Sequence, residues 1–222
     1  MKLYHDPVST TSRPVLLFLA EHELSVEEVQ LNILAGEHLG DAFAAVNPNR
    51  MVPALVDGEL AIGEASAILK YLADVAGSPA YPTDRKARAR VDAAMDWINT
   101  QLSRELGYHY VYPRLFPNHA YDDPSVQAAV TSRGRANAER WLGVLDNDML
   151  GDHPFICGAQ ISVADYLAAG PLGLADGAGF DFAAWPRVSA WLDRMKARPA
   201  WDPVHAAFRG LVAALRGVPQ PA

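Results

Sequence analysis

Apolar and polar positions change rhythm about a third of the way along the chain. Before residue 77 the apolar runs are short and punctuated by turns; after it they recur at helical spacing almost throughout. Lys2–His5 reads as a strand ended by Asp6-Pro7. Ser12-Arg13-Pro14 opens a helix with Ser12 as expected N-cap, Pro14 in the first turn, and Val15, Leu16, Phe18 and Leu19 as its buried side. Ser25–Leu31 is apolar at Val26, Val29 and Leu31 and reads as a strand. Leu39–Val46 reads as a short helix stopped by Asn47-Pro48. Ala54–Val56 and Leu60–Ile62 flank Asp57-Gly58-Glu59 as a hairpin. Ala65–Ala76 carries Ile68, Leu69, Leu72 and Val75 on one side, with Gly77 near its end.

The pattern predicts an α/β plus all-α chain. A β-α-β-α-β-β-α unit spans residues 1–76, a linker rich in Gly, Ser and Pro spans 77–84, and a helical unit spans 85–222. Thr83 is the expected cap of a long helix reaching about Leu106, with Val91, Met95, Ile98 and Leu102 at steps of three and four. Further helices are expected around 124–149, 162–174, 185–197 and 203–215. Ile161-Ser162-Val163-Ala164-Asp165 has capping-box spacing, a folding signal that assigns Ser162 and Asp165 to a helix start rather than to chemistry.

Composition narrows the partners. With 26 Asp+Glu against 19 Lys+Arg, nucleic acid is a poor match. The single cysteine, Cys157, excludes an internal disulfide framework and suits a reducing compartment. No apolar stretch approaches the ~20 residues that span a bilayer, and the first residues lack the apolar core of a signal peptide. The expectation is a cytoplasmic protein with no membrane partner. The seven histidines show no HxxxH or HxH spacing, so no metal site is expected. His109, His119, His153 and His205 read as surface or loop residues.

The densest chemistry lies in residues 51–71. Met51-Val52-Pro53 leads into a strand, Asp57-Gly58 turns it, and Glu64-Ala65-Ser66 sits where the next helix begins. A backbone edge and a helix N-terminus together face a small peptide-like anion.

Leu3-Tyr4, Ser9-Thr10-Thr11-Ser12-Arg13-Pro14-Val15, Gly36-Glu37-His38-Leu39, Asn47-Pro48, Val52-Pro53-Ala54-Leu55, Asp57-Gly58 and Glu64-Ala65-Ser66-Ala67-Ile68 follow one another at characteristic spacing. Ala87–Val91 and Ile161–Tyr166 continue the likeness into the helical part. In this order the chain resembles glutathione transferases, theta-class enzymes and their bacterial relatives above all. The resemblance implies a thioredoxin-like first domain, a helical second domain, glutathione as co-substrate, a hydrophobic electrophile as second substrate, and a homodimer.

It also implies roles for residues. A serine in the first strand–helix loop steadies the glutathione thiolate, and alignment puts it at Ser9, with Ser12 as the alternative. A cis Val52-Pro53 bond exposes the Val52 N–H and C=O as an edge for the ligand's cysteinyl backbone. Glu64, Ala65 and Ser66 meet the γ-glutamyl end, and His38 and Arg50 are candidates for the glycyl carboxylate. The second substrate is expected between the Ser9 loop and the long helix, against Trp97, Asn99, Arg104, Tyr108, Tyr112 and Phe116. Ala65 and Met51 depart from the family, which usually has Ser or Thr after the glutamate and Lys or Gln before Val-Pro. Each loss removes a side-chain hydrogen bond of ~0.5–1.5 kcal/mol. Dehalogenase, peroxidase and isomerase activities, and a non-catalytic binding module, are the alternatives.

Overall fold

Lys2–His5 (β1), Glu27–Gln30 (β2), Ala54–Asp57 (β3) and Leu60–Ile62 (β4) form a mixed sheet of order β2-β1-β3-β4 in a computed structural model, which describes residues 1–217. β1 runs parallel to β2 and antiparallel to β3, and β3 pairs antiparallel with β4. Leu3 lies opposite Leu55 and Tyr4 opposite Ala54. Because strand side chains alternate between faces, this register sends Leu3 and Leu55 into the main core. There they join Val15 and Phe18 of helix α1 (Ser12–Glu21) and Ile68, Leu69 and Leu72 of α3 (Ala65–Val75). Tyr4 and Ala54 face the other way, onto Phe43 of the short helix α2 (Asp41–Ala44). The helix expected over 39–46 is split: a 3₁₀ turn covers Glu37–Leu39, and extended backbone at Gly40 separates it from α2.

The long helix begins at Arg85, and its cap is Asp84 rather than Thr83. The Asp84 carboxylate accepts from the backbone N–H groups of Lys86 and Ala87, at 3.1 and 2.9 Å. Nor does it end near Leu106. α4 (Arg85–Trp97) widens into a π-helix over Ile98–Val111 and closes as α5 (Tyr112–Leu115). α6 (Pro124–Val144) packs against the π-helix backbone to backbone: a Cβ on Gly134 would lie 2.7 Å from His109 Cβ. α7 (Val163–Gly177) is buried on all sides from Val163 to Ala175 and forms the centre of the helical part. α8 (Pro186–Lys196) and α9 (Trp201–Arg216) complete it.

The Ser162–Asp165 capping box is present. One oxygen of Asp165 takes the backbone N–H and hydroxyl of Ser162, at 2.8 and 2.9 Å; the other takes Ile156 N–H and the Trp191 indole N–H, at 2.9 and 2.8 Å. The box therefore also ties α7 to α8. Between the two parts of the chain, Glu21 of α1 accepts from Arg198 Nε and from the Tyr166 hydroxyl, each at 2.6 Å.

Candidate active site

The loop between β1 and α1 is held from several sides. The Asp6 carboxylate accepts from Val8 N–H and, across the sheet edge, from Ile33 N–H, both at 2.9 Å. Ser9 N–H donates to Asp6 C=O at 3.0 Å. Ser12 N–H donates to the Ser9 hydroxyl at 3.2 Å, so Ser9 receives an orphan N–H of the helix start. Ser12 itself is the first helical residue and not the N-cap, a position that Thr11 fills without a side-chain capping bond to the helix. The Ser12 side chain is fully buried and accepts from Asp6 N–H at 3.4 Å. From behind, α7 presses on the loop: a Cβ on Gly170 would stand 2.7 Å from the Thr10 carbonyl oxygen.

In front of this loop lies a cavity of about 360 Å³, within the range of small-molecule sites. Ser9, Thr10 and Thr11 form one wall, His38 and Leu34 a second, and Met51 and Val52 a third; Tyr108, Tyr112 and Phe116 stand opposite. Ser12 does not line it. Tyr112 meets Tyr108 and Phe116 edge-on, with centroids 4.9 and 5.3 Å apart. An adjoining crevice is lined by Asn99, Ser103, Tyr108 and Tyr112, at spacings of four, five and four residues. That repeat is wider than the 3.6 of an α-helix and suits the i→i+5 bonding of the π-helix, a form frequent at functional sites.

The Val52-Pro53 peptide is cis and both residues are buried. The Val52 carbonyl is not a bare edge, because the Thr11 hydroxyl donates to it at 2.9 Å. Asn47 fixes the preceding turn, its amide donating to Met51 C=O at 2.7 Å. His38 lines the cavity, and its Nδ1 is buried with no hydrogen-bond partner among the described residues. Arg50 is turned away: its guanidinium donates to the Leu39 carbonyl and to Asp41, the latter at 3.0 Å, and does not line the cavity. Glu64 precedes α3 at φ 62°, a left-handed backbone that a non-glycine residue adopts only under constraint. Its carboxylate makes no capping bond to the helix and stays exposed. Ser66, one residue inside α3, accepts from the Asn99 amide at 3.3 Å. Ala65 is buried.

Two expected wall residues face elsewhere. Arg104 pairs with the buried Glu105 at 2.9 Å, on the side where Glu105 also meets His109 and Asn137. Trp97 packs edge-on against Trp141, at 6.2 Å. Both lie off the face that carries Asn99, Ser103 and Tyr108.

Other residues belong to the site without having been expected there. Thr11 touches both Ser9 and Val52. His119 is exposed as expected but ends a 3₁₀ turn over Pro117–His119 and lines the cavity, with its ring 4.9 Å from that of Tyr112; burial lowers its pKa. Leu211 of α9 closes one side. Arg13 lies directly behind the loop and is fully buried. One guanidinium nitrogen donates to Val8 C=O at 2.8 Å, the ring of Phe208 lies 3.8 Å away, and Nε and Nη2 have no partner among the described residues. Burial pulls its pKa down to about 9, which leaves it cationic at neutral pH. The sequence signal for this was its place in the apolar stripe of α1, four residues before Leu17. His205 is not on the surface either. It is buried, stacked on Trp201, and its pKa is lowered to about 4, first by burial and then by the charge of Arg13. Burial also pushes the Tyr112 phenol up to about 12, so it remains a hydrogen-bond donor at neutral pH.

Among the described residues no three His, Cys, Asp or Glu side chains gather as a metal-binding group, and no helix is long and apolar enough to cross a membrane.

The family model described as "Glutathione S-transferase, N-terminal domain" matches residues 1–74, and "Glutathione S-transferase, C-terminal domain" matches residues 128–194. Mouse glutathione S-transferase theta-1 is 35% identical over 207 residues, covering 91% of this chain and 85% of its own. Human theta-1 is 34% identical over 205 residues, with the same coverage, 91% and 85%. Among solved structures, apo human glutathione-S-transferase T1-1 superposes with a TM-score of 0.82 at 32% identity, covering 96% of this chain and 90% of that one. Human glutathione transferase theta-2, in complex with glutathione and an unknown ligand, superposes with a TM-score of 0.87 at 28% identity, covering 100% and 93%.

Proposed function

The chain belongs to the glutathione S-transferase family and is a glutathione transferase; we propose that it draws its nucleophile from glutathione held in the 360 Å³ cavity and ionised beside Ser9. The observation that carries this reading is a conjunction. A serine hydroxyl at a helix start, a buried backbone edge at Val52, the His38 side chain and an aromatic wall all border one cavity. The ligand's cysteinyl backbone pairs with Val52, its glycyl carboxylate meets His38, and its γ-glutamyl end lies toward Glu64 and the N-terminus of α3. Arg50 takes no part. The electrophile enters against Tyr108, Tyr112 and Phe116, and its leaving group or activated double bond faces the sulfur. Human theta-class transferase has been crystallised with the glutathione conjugate of 1-menaphthyl sulfate; an aromatic electrophile of that kind suits this wall.

In this reading residues 1–76 bind glutathione, 77–84 link, and 85–222 supply the electrophile wall. The protein acts in the cytoplasm as a homodimer. The exposed apolar side chains of Met51 and Val75, 57% and 49% accessible, suit a partner subunit; a monomeric mass in sedimentation at micromolar concentration would count against pairing.

Magnitudes divide the catalytic task. A free thiol of pKa ~8.5 is about 3% ionised at pH 7, and lowering that pKa by about two units raises the ionised fraction roughly 25-fold. Nucleophilicity falls with basicity, and a Brønsted slope of ~0.4–0.5 takes back roughly six- to tenfold. The net gain is a few-fold, so much of the rate comes from holding the electrophile against the sulfur. Ultraviolet titration of bound glutathione tests the reading. The thiol pKa should lie well below that of free glutathione and rise by about one unit or more in Ser9→Ala. An unshifted thiol in the native protein would refute thiolate activation.

Met51 and Ala65 favour a second reading, a binding module without turnover, because both remove hydrogen bonds to the tripeptide. No binding of glutathione at millimolar concentration, together with no conjugating activity, would support it.

A further inference from the structure

Counting protons in the Ser9 loop yields a switch that the serine mechanism alone does not contain. Thr11 Oγ1 lies 2.9 Å from the Val52 carbonyl oxygen and 3.1 Å from Ser9 Oγ, and Ser9 Oγ lies 3.2 Å from Ser12 N. A carbonyl only accepts, so the single Thr11 proton is spent on Val52. The Ser9–Thr11 contact must then be donated by Ser9. Ser12 N–H already occupies one lone pair of Ser9. In this arrangement the loop aims the Ser9 proton at Thr11.

We propose that Thr11 is a positioning residue whose hydroxyl reverses when glutathione binds, releasing Val52 and donating to Ser9, so that the Ser9 proton turns onto the thiolate. This rests on the serine reading above and extends it. The ligand's cysteinyl N–H donates to the Val52 carbonyl, which weakens that oxygen as an acceptor for Thr11. When the Ser9 proton turns to the sulfur, the lone pair of Ser9 not used by Ser12 N–H turns toward Thr11. Thr11 then fills it, making a chain from Thr11 to Ser9 to S⁻ in which each bond polarises the next. Occupancy of the ligand's backbone site is thereby read out at its sulfur. Thr11 touches neither reacting atom and acts through Ser9.

Thr11→Val keeps the β-branched shape and removes the hydroxyl, while Thr11→Ser keeps the hydroxyl. The thiol pKa of bound glutathione is measured in both, and in the Ser9→Ala and Ser9→Ala/Thr11→Val proteins. Thr11→Val should raise it by about 0.5 unit, roughly a threefold loss of thiolate at low pH. Thr11→Ser should restore the native value, and Thr11→Val should add nothing once Ser9 is alanine. An unchanged pKa in Thr11→Val, with Ser9→Ala shifted, overturns the relay and leaves the serine reading intact. A Thr11→Val shift that persists in the Ser9→Ala background overturns it in favour of direct donation from Thr11. If Ser9→Ala leaves the pKa unmoved, both readings fall together.

Discussion

Replacing Arg13 by methionine separates two effects of one buried charge. The guanidinium is inaccessible, has one hydrogen bond to Val8 C=O and a ring face from Phe208, and has no carboxylate partner among the described residues. A pKa drawn down from 12.5 to about 9 means that keeping it protonated in the core costs roughly 5 kcal/mol, at about 1.4 kcal/mol per pKa unit. Against that stand a charge-assisted hydrogen bond of ~1.5–3 kcal/mol and a desolvated cation–π contact of ~2 kcal/mol. Methionine fills similar volume without charge, so the stability of Arg13→Met should fall within about 2 kcal/mol of native. Breaking a true buried ion pair would cost ~3–5 kcal/mol. The charge also acts forward, through the Val8 carbonyl, on the loop that carries Ser9. A unit charge ~6–10 Å from a thiolate at an effective dielectric of ~20 contributes about 1.7–2.8 kcal/mol, or roughly 1.2–2 pKa units. Thermal unfolding and thiol titration on the same protein read the two effects separately. The expected result is near-native melting with a bound-thiol pKa raised by at least about one unit. A large loss of stability with an unmoved thiol would show that Arg13 is only structural, and the electrostatic reasoning would fail.

Two further outcomes follow from packing and burial. Gly170→Ala should force the Thr10 carbonyl forward, because the added Cβ would stand 2.7 Å from its oxygen and 3.1 Å from Pro14 Cγ. We expect ~1–3 kcal/mol of destabilisation by denaturant titration and a fall in kcat larger than stability explains; unchanged kinetics would refute the tight backing of the loop. His205 is neutral in the fold down to about pH 4 but titrates near 6.5 when unfolded, so the unfolded chain binds the extra proton between those values and stability falls as pH falls through that window. From pH 7 to 5 this group alone should remove about 2 kcal/mol. The loss should be absent in His205→Gln, and an identical acid slope in both proteins would contradict it.

The order of strands and helices was legible because apolar spacing dictates which face each element can bury. Leu3 and Leu55, or Ile68, Leu69 and Leu72, admit one arrangement. The hairpin was equally plain, since Gly58 takes the positive φ of 59° that Asp57-Gly58 advertises. What stayed hidden were choices made by neighbours distant in sequence. Asp84 outcompetes Thr83 as a cap by reaching two N–H groups. The π-helix is a choice of backbone partner, and apolar residues at steps of three and four do not distinguish it from an α-helix. Arg50 and Arg104 carry the right charge for a ligand, yet Asp41 and Glu105 claim them first. Arg13 is covered by Phe208 of α9, a helix nearly two hundred residues further on, and His205 of that helix is buried beside Gly173 of α7.

Those hidden contacts bear on how so sparse a tripeptide site would activate a thiol, as proposed above. Met51 and Ala65 offer no polar side chain, and Arg50 is committed to Asp41, so in the proposed site the ground-state grip on glutathione rests on backbone groups, Glu64 and His38. Weak grip on the ligand does not imply weak selection for the anion. Binding tripeptide and thiolate equally lowers KM without raising kcat, whereas in the proposed site Ser9, the start of α1 and the buried charge of Arg13 would favour only the ionised sulfur. If that division holds, restoring a hydroxyl in Ala65→Ser should tighten glutathione binding severalfold, by one hydrogen bond of ~0.5–1.5 kcal/mol, and leave the bound-thiol pKa where it was. A change in the pKa with no change in affinity would mean that the two functions are not separated along the cavity, and that the γ-glutamyl end takes part in ionising the sulfur.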